Sequence, residues 1–520
     1  VKKYAWLAVA LSATTAWGEV AKIERPNFLI LLTDDQRADS LSCYNAETPI
    51  KTPGIDSLAE RGMRFTEAFV TSPICAVSRA TLLTGRYARN ARVHEFNTPI
   101  PPDIWEKSYP ALMAKGGYFV GQLGKFGVGI GRGEREIFGL FDASVDQGPP
   151  FRERRGENLH DSEWLTRRTA DFLDAVPAGQ PFVLQVNYKA PHSTSAVAPE
   201  DEGKLAKVDF ARRPNETKEA HAKLPSEVRN GFGAHCYRRE VNLGGDHNAY
   251  LRTHYEKILG VDRSVGAIMA DLQARGLADN TVVIFTSDHG THFGEKLLGG
   301  KWTPYEESLR VPLIVADPRA AADRRGVECT ALVTVMDIAP TMLDMAGLPV
   351  PADMDGRSLS PLLQGDEKGW RDHFFFEHRT SPAKAGRPIP RSLGVRGVST
   401  KLFRWLDPEP PVEVLHDLAA DPLEEENRVD DAAMAGERKR LTGLLDGWLA
   451  AHPDTYSHDP YGRRPQSGSP ELDWEKFKQA RPKEYERIAS IIKKLGVTWE
   501  QALSDDDIRE KVSSAAGYWY

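Results

Sequence analysis

Four apolar runs in this chain break off abruptly into charged residues. Phe28-Leu29-Ile30-Leu31-Leu32-Thr33 leads into Asp34-Asp35-Gln36-Arg37, and Tyr118 to Leu123 leads into Gly124-Lys125. Phe182 to Tyr188 leads into Lys189-Ala190-Pro191-His192, and Val282 to Ser287 into Asp288-His289-Gly290. Continuous apolar runs suit strands buried on both faces. Helical patterns lie between them: Ile258, Val261, Val265, Ile268 and Leu272 share one face at helical spacing. Strands alternating with helices predict an α/β fold, a large mixed, mostly parallel sheet sandwiched by helices. Such sheets place ligands at the carboxyl ends of their strands, where these polar clusters fall.

After about residue 365 the pattern changes. Phe374 to Glu377, Leu393 to Leu406 and Val412 to Leu418 read as strands without long helices between them, and Ala433 to Ala451 reads as a helix. This predicts a smaller C-terminal antiparallel sheet with one covering helix over 366–452, after an α/β domain over 19–365. Pro453 to Pro470 is rich in Pro, Gly, Ser and charge and reads as a linker. It leads into a charged helical tail reaching Tyr520, with Trp474, Ile488, Ile491, Ile492 and Leu495 as anchors. No internal repeat is visible.

Composition narrows the class. The 520 residues are 41% hydrophobic and 27% charged, with a formal net charge of -7. Charges of both signs are mixed throughout, so no basic stripe points to nucleic acid. Lys2 and Lys3, an apolar run from Ala5 to Ala16 and the small residues of Ala16-Trp17-Gly18 read as a secretory signal over 1–18. That run is too short to span a bilayer, and no later one is long enough. The expectation is a soluble protein, periplasmic or secreted, with no membrane partner. Of the four cysteines, Cys43, Cys75, Cys236 and Cys329, at most one pair can form a disulfide if Cys75 is reserved for chemistry.

The chemistry gathers at the strand ends. Asp34 and Asp35 crowd two negative charges together unless a cation neutralises them. With Asp288 and His289 they form a candidate metal set, and the excess of carboxylates favours calcium over zinc. Elsewhere, Ser72-Pro73-Ile74-Cys75-Ala76-Val77-Ser78-Arg79 sets a cysteine at the start of an amphipathic run ending Leu82-Leu83-Thr84-Gly85-Arg86. A helix opening there points unpaired N–H groups towards the cysteine and favours an anion.

This cysteine segment resembles the signature of the type I sulfatases, arylsulfatase-like members of the alkaline phosphatase superfamily. Gly299-Gly300-Lys301-Trp302-Thr303-Pro304-Tyr305-Glu306-Glu307 and Leu415-His416-Asp417-Leu418 to Asn427 also resemble family segments. The likeness runs from about residue 26 to 450, in the family's order. It implies oxidation of Cys75 to formylglycine by a maturation enzyme, with the hydrate attacking sulfur. It implies one Ca2+ held by Asp34, Asp35, Asp288, His289 and the modified residue 75. It also implies that Arg79, Lys125, His192 and Lys301 act on the sulfate, with His94 and His292 as candidates near the substrate. Export suggests a sulfated carbohydrate as the substrate.

Two positions depart from the family. Val77 stands where the cysteine motif has Pro or Ala, and Gly127 stands where Gly-Lys-x-His has its histidine. His292 is the nearest replacement by sequence. Two other functions use the same residues: a phosphodiesterase or phosphonate monoester hydrolase of the same superfamily, and a catalytically inactive carbohydrate-binding relative.

Overall fold

The computed structural model describes residues 25–453, apart from 97, 132 and 380–386, together with 486, 489–490, 492–494, 496 and 498. The expected signal segment, nearly all of the linker and most of the tail lie outside the described residues. So do Trp474, Ile488, Ile491 and Leu495, whereas Ile492 is described and buried. No helix among the described residues is long and apolar enough to cross a membrane.

Eight strands make the central sheet: β1 (Asn27–Asp34), β2 (Met63–Phe65), β3 (Phe119–Lys125), β4 (Leu140–Ser144), β5 (Phe182–Pro191), β6 (Thr281–Ser287), β7 (Leu313–Ala316) and β8 (Val327–Cys329). Their spatial order is β8-β2-β7-β6-β1-β5-β3-β4. Only β7 runs against its neighbours; every other pair is parallel. The mixed, mostly parallel sheet expected from the apolar runs is therefore the one observed. At its centre, Leu29 of β1 pairs with Leu184 of β5 on one side and Val283 of β6 on the other.

The strands lack alternation because both faces are covered. Phe28, Ile30, Leu32, Val282 and Ile284 enter one core, and Leu29, Leu31, Val283 and Phe285 enter the other. Val77, Ala80, Leu82 and Leu83 of a helix over Cys75–Thr84 close the first core. A helix over Pro53–Arg61 closes the second, with others over Asp161–Ala175 and His247–Ala274. In chain order these four are α1 to α4. The stripe from Ile258 to Leu272 lies wholly in the second core. Burying each such side chain is worth about 1.5–3 kcal/mol.

The C-terminal sheet is antiparallel in the order β9 (His373–His378), β10 (Ser392–Gly397), β11 (Thr400–Trp405) and β12 (Val412–Asp417). The single run expected over Leu393 to Leu406 is two strands, turned at Val398-Ser399 with Val398 exposed at the tip. Leu393, Val395, Leu402 and Leu415 face Leu441, Leu445 and Trp448 of the covering helix α5 (Ala435–Ala451). The opposite face sends Phe374, Phe376, Phe403 and Trp405 into the first core of the large sheet. β9 is also tied to the loop before α2. Glu377 N–H donates to the Thr71 carbonyl at 2.9 Å, and Ser72 Oγ donates to the Glu377 carbonyl at 2.7 Å. The Glu377 carboxylate meets Arg89 at 2.6 Å in a buried ion pair, with the guanidinium 4.3 Å over Trp448. Cys43, Cys75, Cys236 and Cys329 form no disulfide.

Candidate active site

Four strand ends and one helix start converge. β1 ends in Asp34 and delivers Asp35, β3 ends in Lys125, β5 leads into His192, and β6 leads into Asp288 and His289. Cys75 is the first residue of α2, where the N–H groups of the opening turn have no acceptor within the helix. Asp35 has φ +66, a left-handed conformation that Asp tolerates better than most residues. It lets the chain turn sharply so that both carboxylates serve one cluster.

Cys75 Sγ lies 3.1 Å from His289 Nε2, 3.4 Å from Lys301 Nζ and 3.6 Å from Asp34 Oδ1. Lys301 donates to Asp35 Oδ1 at 2.7 Å, and His289 Nδ1 lies 3.1 Å from the same oxygen. Lys125 donates to Asp34. Arg79, one turn along α2 from Cys75, donates to Asp288 Oδ2 at 2.8 Å, to Asp34 Oδ2 at 3.3 Å and to the Lys125 carbonyl. His192 Nε2 lies 3.6 Å from Asp35 Oδ2. The ring's Nδ1 accepts from Thr194 N–H at 3.2 Å, so a neutral imidazole here carries its proton on Nε2.

Electrostatics set the protonation of the cluster. Burial disfavours charge on Asp34 and Asp35. Lys125 beside the first and Lys301 beside the second, with His192, outweigh burial and hold both carboxyls below the usual range. Burial and Asp34 push the Cys75 thiol up, but Lys125, Lys301 and His289 bring it below its ordinary value. Burial opposes a charged His289, yet Asp288, Cys75 and Asp35 raise it to about 10. Burial and Lys301 push His192 down to about 3.

The donor set suits a hard cation. Asp34, Cys75, Asp288 and His289 each offer one atom, all within 4.8 Å of one another, and Asp34, Asp35 and His192 form a second such group. Three carboxylates supply oxygen donors of the kind calcium prefers, and an oxygen at position 75 would add another. Three fixed cations, Lys125, Lys301 and Arg79, balance the carboxylates, so a bound cation would leave net positive charge for a tetrahedral anion.

Two candidates lie differently. His292 is buried with Nε2 2.8 Å from Thr303 Oγ1 and Nδ1 3.9 Å from the Glu295 carboxylate, so its ring serves a neighbouring polar cluster. The imidazole in contact with Cys75 belongs to His289 instead. His94 is partly buried in the loop after the short helix Ala88–Ala91. Gly127 has a structural reason to lack a side chain. Its φ is +78, and a Cβ there would meet Arg79 Cδ at 2.6 Å. Val77 is buried in the first core.

Sequence reasoning missed Lys257 of α4, which donates to the carbonyls of His192 and Ser193 at 3.1 Å each. The signal was the placing of His254 and Lys257 at helical spacing beside the apolar stripe. It also missed Glu377, which reaches the cysteine loop from a different sheet.

A fold with carboxylates, lysines and a helix-start cysteine at the strand ends defines a hydrolase of anionic esters, and comparison with known proteins names the family. The chain belongs to the sulfatase family, the type I sulfatases of the alkaline phosphatase superfamily: the sulfatase model matches residues 26–348 and the C-terminal model of N-sulphoglucosamine sulphohydrolase matches 294–448. It is 26% identical over 505 residues to an N-acetylglucosamine-6-O-sulfatase of Bacteroides thetaiotaomicron, covering 85% of this chain and 89% of the relative. A solved structure in complex with its substrate D-glucosamine-2-N,6-O-disulfate is 25% identical with a TM-score of 0.71, covering 85% of this chain and all 100% of the other. The phosphonate monoester hydrolase of Agrobacterium radiobacter is also 25% identical, with a TM-score of 0.67, covering 82% of this chain and 96% of that one.

Proposed function

We propose that this sulfatase hydrolyses a sulfate ester of a sulfated carbohydrate, with Cys75 oxidised to formylglycine and one calcium ion held by Asp34, Asp35, Asp288, His289 and the oxygen at position 75. The observation that carries this reading is the approach of Cys75 Sγ to both Lys301 Nζ, at 3.4 Å, and His289 Nε2, at 3.1 Å, beside the Asp34–Asp35 pair. The two relatives named for, or bound to, glucosamine sulfates support a sulfated hexosamine as the substrate. Residues 1–18 are read as an export signal, so the enzyme works in the periplasm or outside the cell. A formylglycine-generating enzyme is its maturation partner.

Bound calcium supplies charge that polarises the sulfate oxygens. Position 75, once oxidised to formylglycine and hydrated, would supply a geminal diol, one oxygen of which is the nucleophile for sulfur while the other allows sulfate to be expelled. Lys301 and Lys125 hold the sulfate oxygens beside position 75. Arg79 fixes Asp34 and Asp288 and adds positive charge. His192, neutral with its proton on Nε2, hydrogen-bonds to the oxygen that joins sulfate to the sugar, and the charged Lys301 supplies the proton to the leaving alcohol. His94 is assigned to the sugar side.

Peptide mapping of residue 75 alongside turnover of glucosamine 6-sulfate tests the reading. Specific activity is expected to track the fraction of chains carrying formylglycine. Full activity in chains with wholly unmodified Cys75 would sink it. The likeness to a phosphonate monoester hydrolase supports a second reading, phosphonate or phosphodiester cleavage at the same site. A kcat/KM for phenyl phosphonates above that for sulfate esters would establish it. An inactive carbohydrate-binding role, suggested by Val77 and Gly127, requires no turnover of any ester by chains fully converted at 75.

A further inference from the structure

We infer that Lys257 is a positioning residue for His192: it fixes the turn that carries the imidazole and so aims the donor that meets the leaving oxygen. The inference rests on the role proposed above for His192. Lys257 lies on α4 and is 3% exposed. Its Nζ reaches out of the helix to two successive main-chain oxygens, those of His192 and Ser193, at 3.1 Å each. The His192 carbonyl also receives Ser195 N–H at 2.9 Å and Ser195 Oγ at 2.8 Å, while His192 N–H closes on the Lys189 carbonyl at 3.0 Å. The turn is thus held by β5 on one side and by α4 on the other.

The chemistry of Lys257 is unusual for a buried lysine. Among the described residues no carboxylate lies within ion-pair distance of it, and its hydrogen-bond acceptors are both neutral carbonyls. Burial disfavours its charge, and Asp35 and Glu240 attract it only from farther away. A buried ammonium without a close counter-ion costs stability, whereas methionine would fill similar space without that cost. What the lysine adds is a pair of charge-assisted hydrogen bonds to the main chain from which His192 projects. Thr194 sets the rotation of the ring through Nδ1, and Lys257 sets the position of its backbone. Together they leave Nε2 as the free end, on the Asp35 side of the cluster.

A series of aryl sulfates with leaving phenols of graded acidity separates this role from a structural one. A donor to the leaving oxygen matters most where the leaving group is poor. Lys257→Met is expected to lower kcat/KM for phenyl sulfate by about 10–100-fold, the scale of a misplacement near 1 Å, and for 4-nitrophenyl sulfate by less than about 3-fold. Its Tm is expected to match or exceed that of the wild type. Lys257→Arg, which keeps the donors, is expected to recover part of the phenyl sulfate rate. Lys257→Gln serves the same comparison if the methionine variant does not fold. An equal fall on both substrates, or no fall on either, overturns the inference. His192→Ala, measured in parallel, reads the underlying role by itself. A flat leaving-group response there removes the role of His192. A steep response there with a flat one in Lys257→Met removes only the role of Lys257.

Discussion

Restoring the family's histidine at position 127 is expected to damage this enzyme. Gly127 has φ +78, where an L side chain costs about 1–2 kcal/mol. A Cβ there meets Arg79 Cδ at 2.6 Å and Nε at 3.1 Å. The arginine cannot withdraw cheaply, because it is bonded to Asp288, Asp34 and the Lys125 carbonyl and is 1% exposed. Overpacking of this kind costs about 1–3 kcal/mol, and stranding a buried carboxylate from its cation costs about 3–5 kcal/mol. Gly127→His is therefore expected to lose at least about 2 kcal/mol, which in a chain of this length is a fall in Tm of about 2 °C or more. Its kcat/KM should fall at least about 10-fold, the effect of 1.4 kcal/mol lost at the reacting centre. Differential scanning calorimetry and steady-state kinetics on matched preparations, with conversion at 75 measured in each, check both numbers. Gly127→Ala separates the clash from the imidazole and should show most of the same loss. Unchanged Tm with equal or higher kcat/KM in Gly127→His would show instead that Arg79 has room to move without cost.

Asp35→Ala removes an oxygen that holds both Lys301 and His289, and is expected to weaken calcium binding more than about 100-fold by calorimetry, beyond the usual effect of an outer-shell change. Activity retained in that variant after chelation counts against the metal. Lys301→Ala is expected to lose about 10²–10³ in kcat, as when one stabilising donor is removed; wild-type kinetics would make it an ordinary buried lysine. Trp405→Ala is expected to destabilise the whole molecule by about 3–5 kcal/mol in denaturant titration, because the ring belongs to the first core of the large sheet.

Much of the fold was legible because the central strands are buried on both faces, which leaves a plain apolar run and a polar cluster at its end. That contrast marked Asp34, Lys125, His192 and Asp288 as strand-end residues. The C-terminal hairpin was harder to divide, because its turn carries Val398, an apolar residue that keeps the run continuous although it is 65% exposed. Lys257 escaped notice for a different reason. A lysine in a helix reads as solvated, and its place beside the apolar stripe hints at burial without revealing that its neighbours will be the carbonyls of a turn 65 residues upstream. The reason for glycine at 127 was likewise invisible, since it lies in the side chain of Arg79, on another element. Pairwise closeness between distant segments is the part that periodicity does not encode.

The stitching of β9 to the cysteine loop has a consequence for the order of events during synthesis. Ser72 and Glu377 are 305 residues apart along the chain, yet the second holds the first. At about 5–20 residues per second, a ribosome that has made Ser72 needs about 15–60 s more to make its partner. Until then the loop leading into Cys75 lacks its hydrogen bonds from β9, and the first core lacks Phe374, Phe376, Phe403 and Trp405. The last third of the chain is therefore the clasp of the loop that leads into Cys75. A nascent chain stalled before it would present an almost complete large sheet with the start of α2 still unfastened.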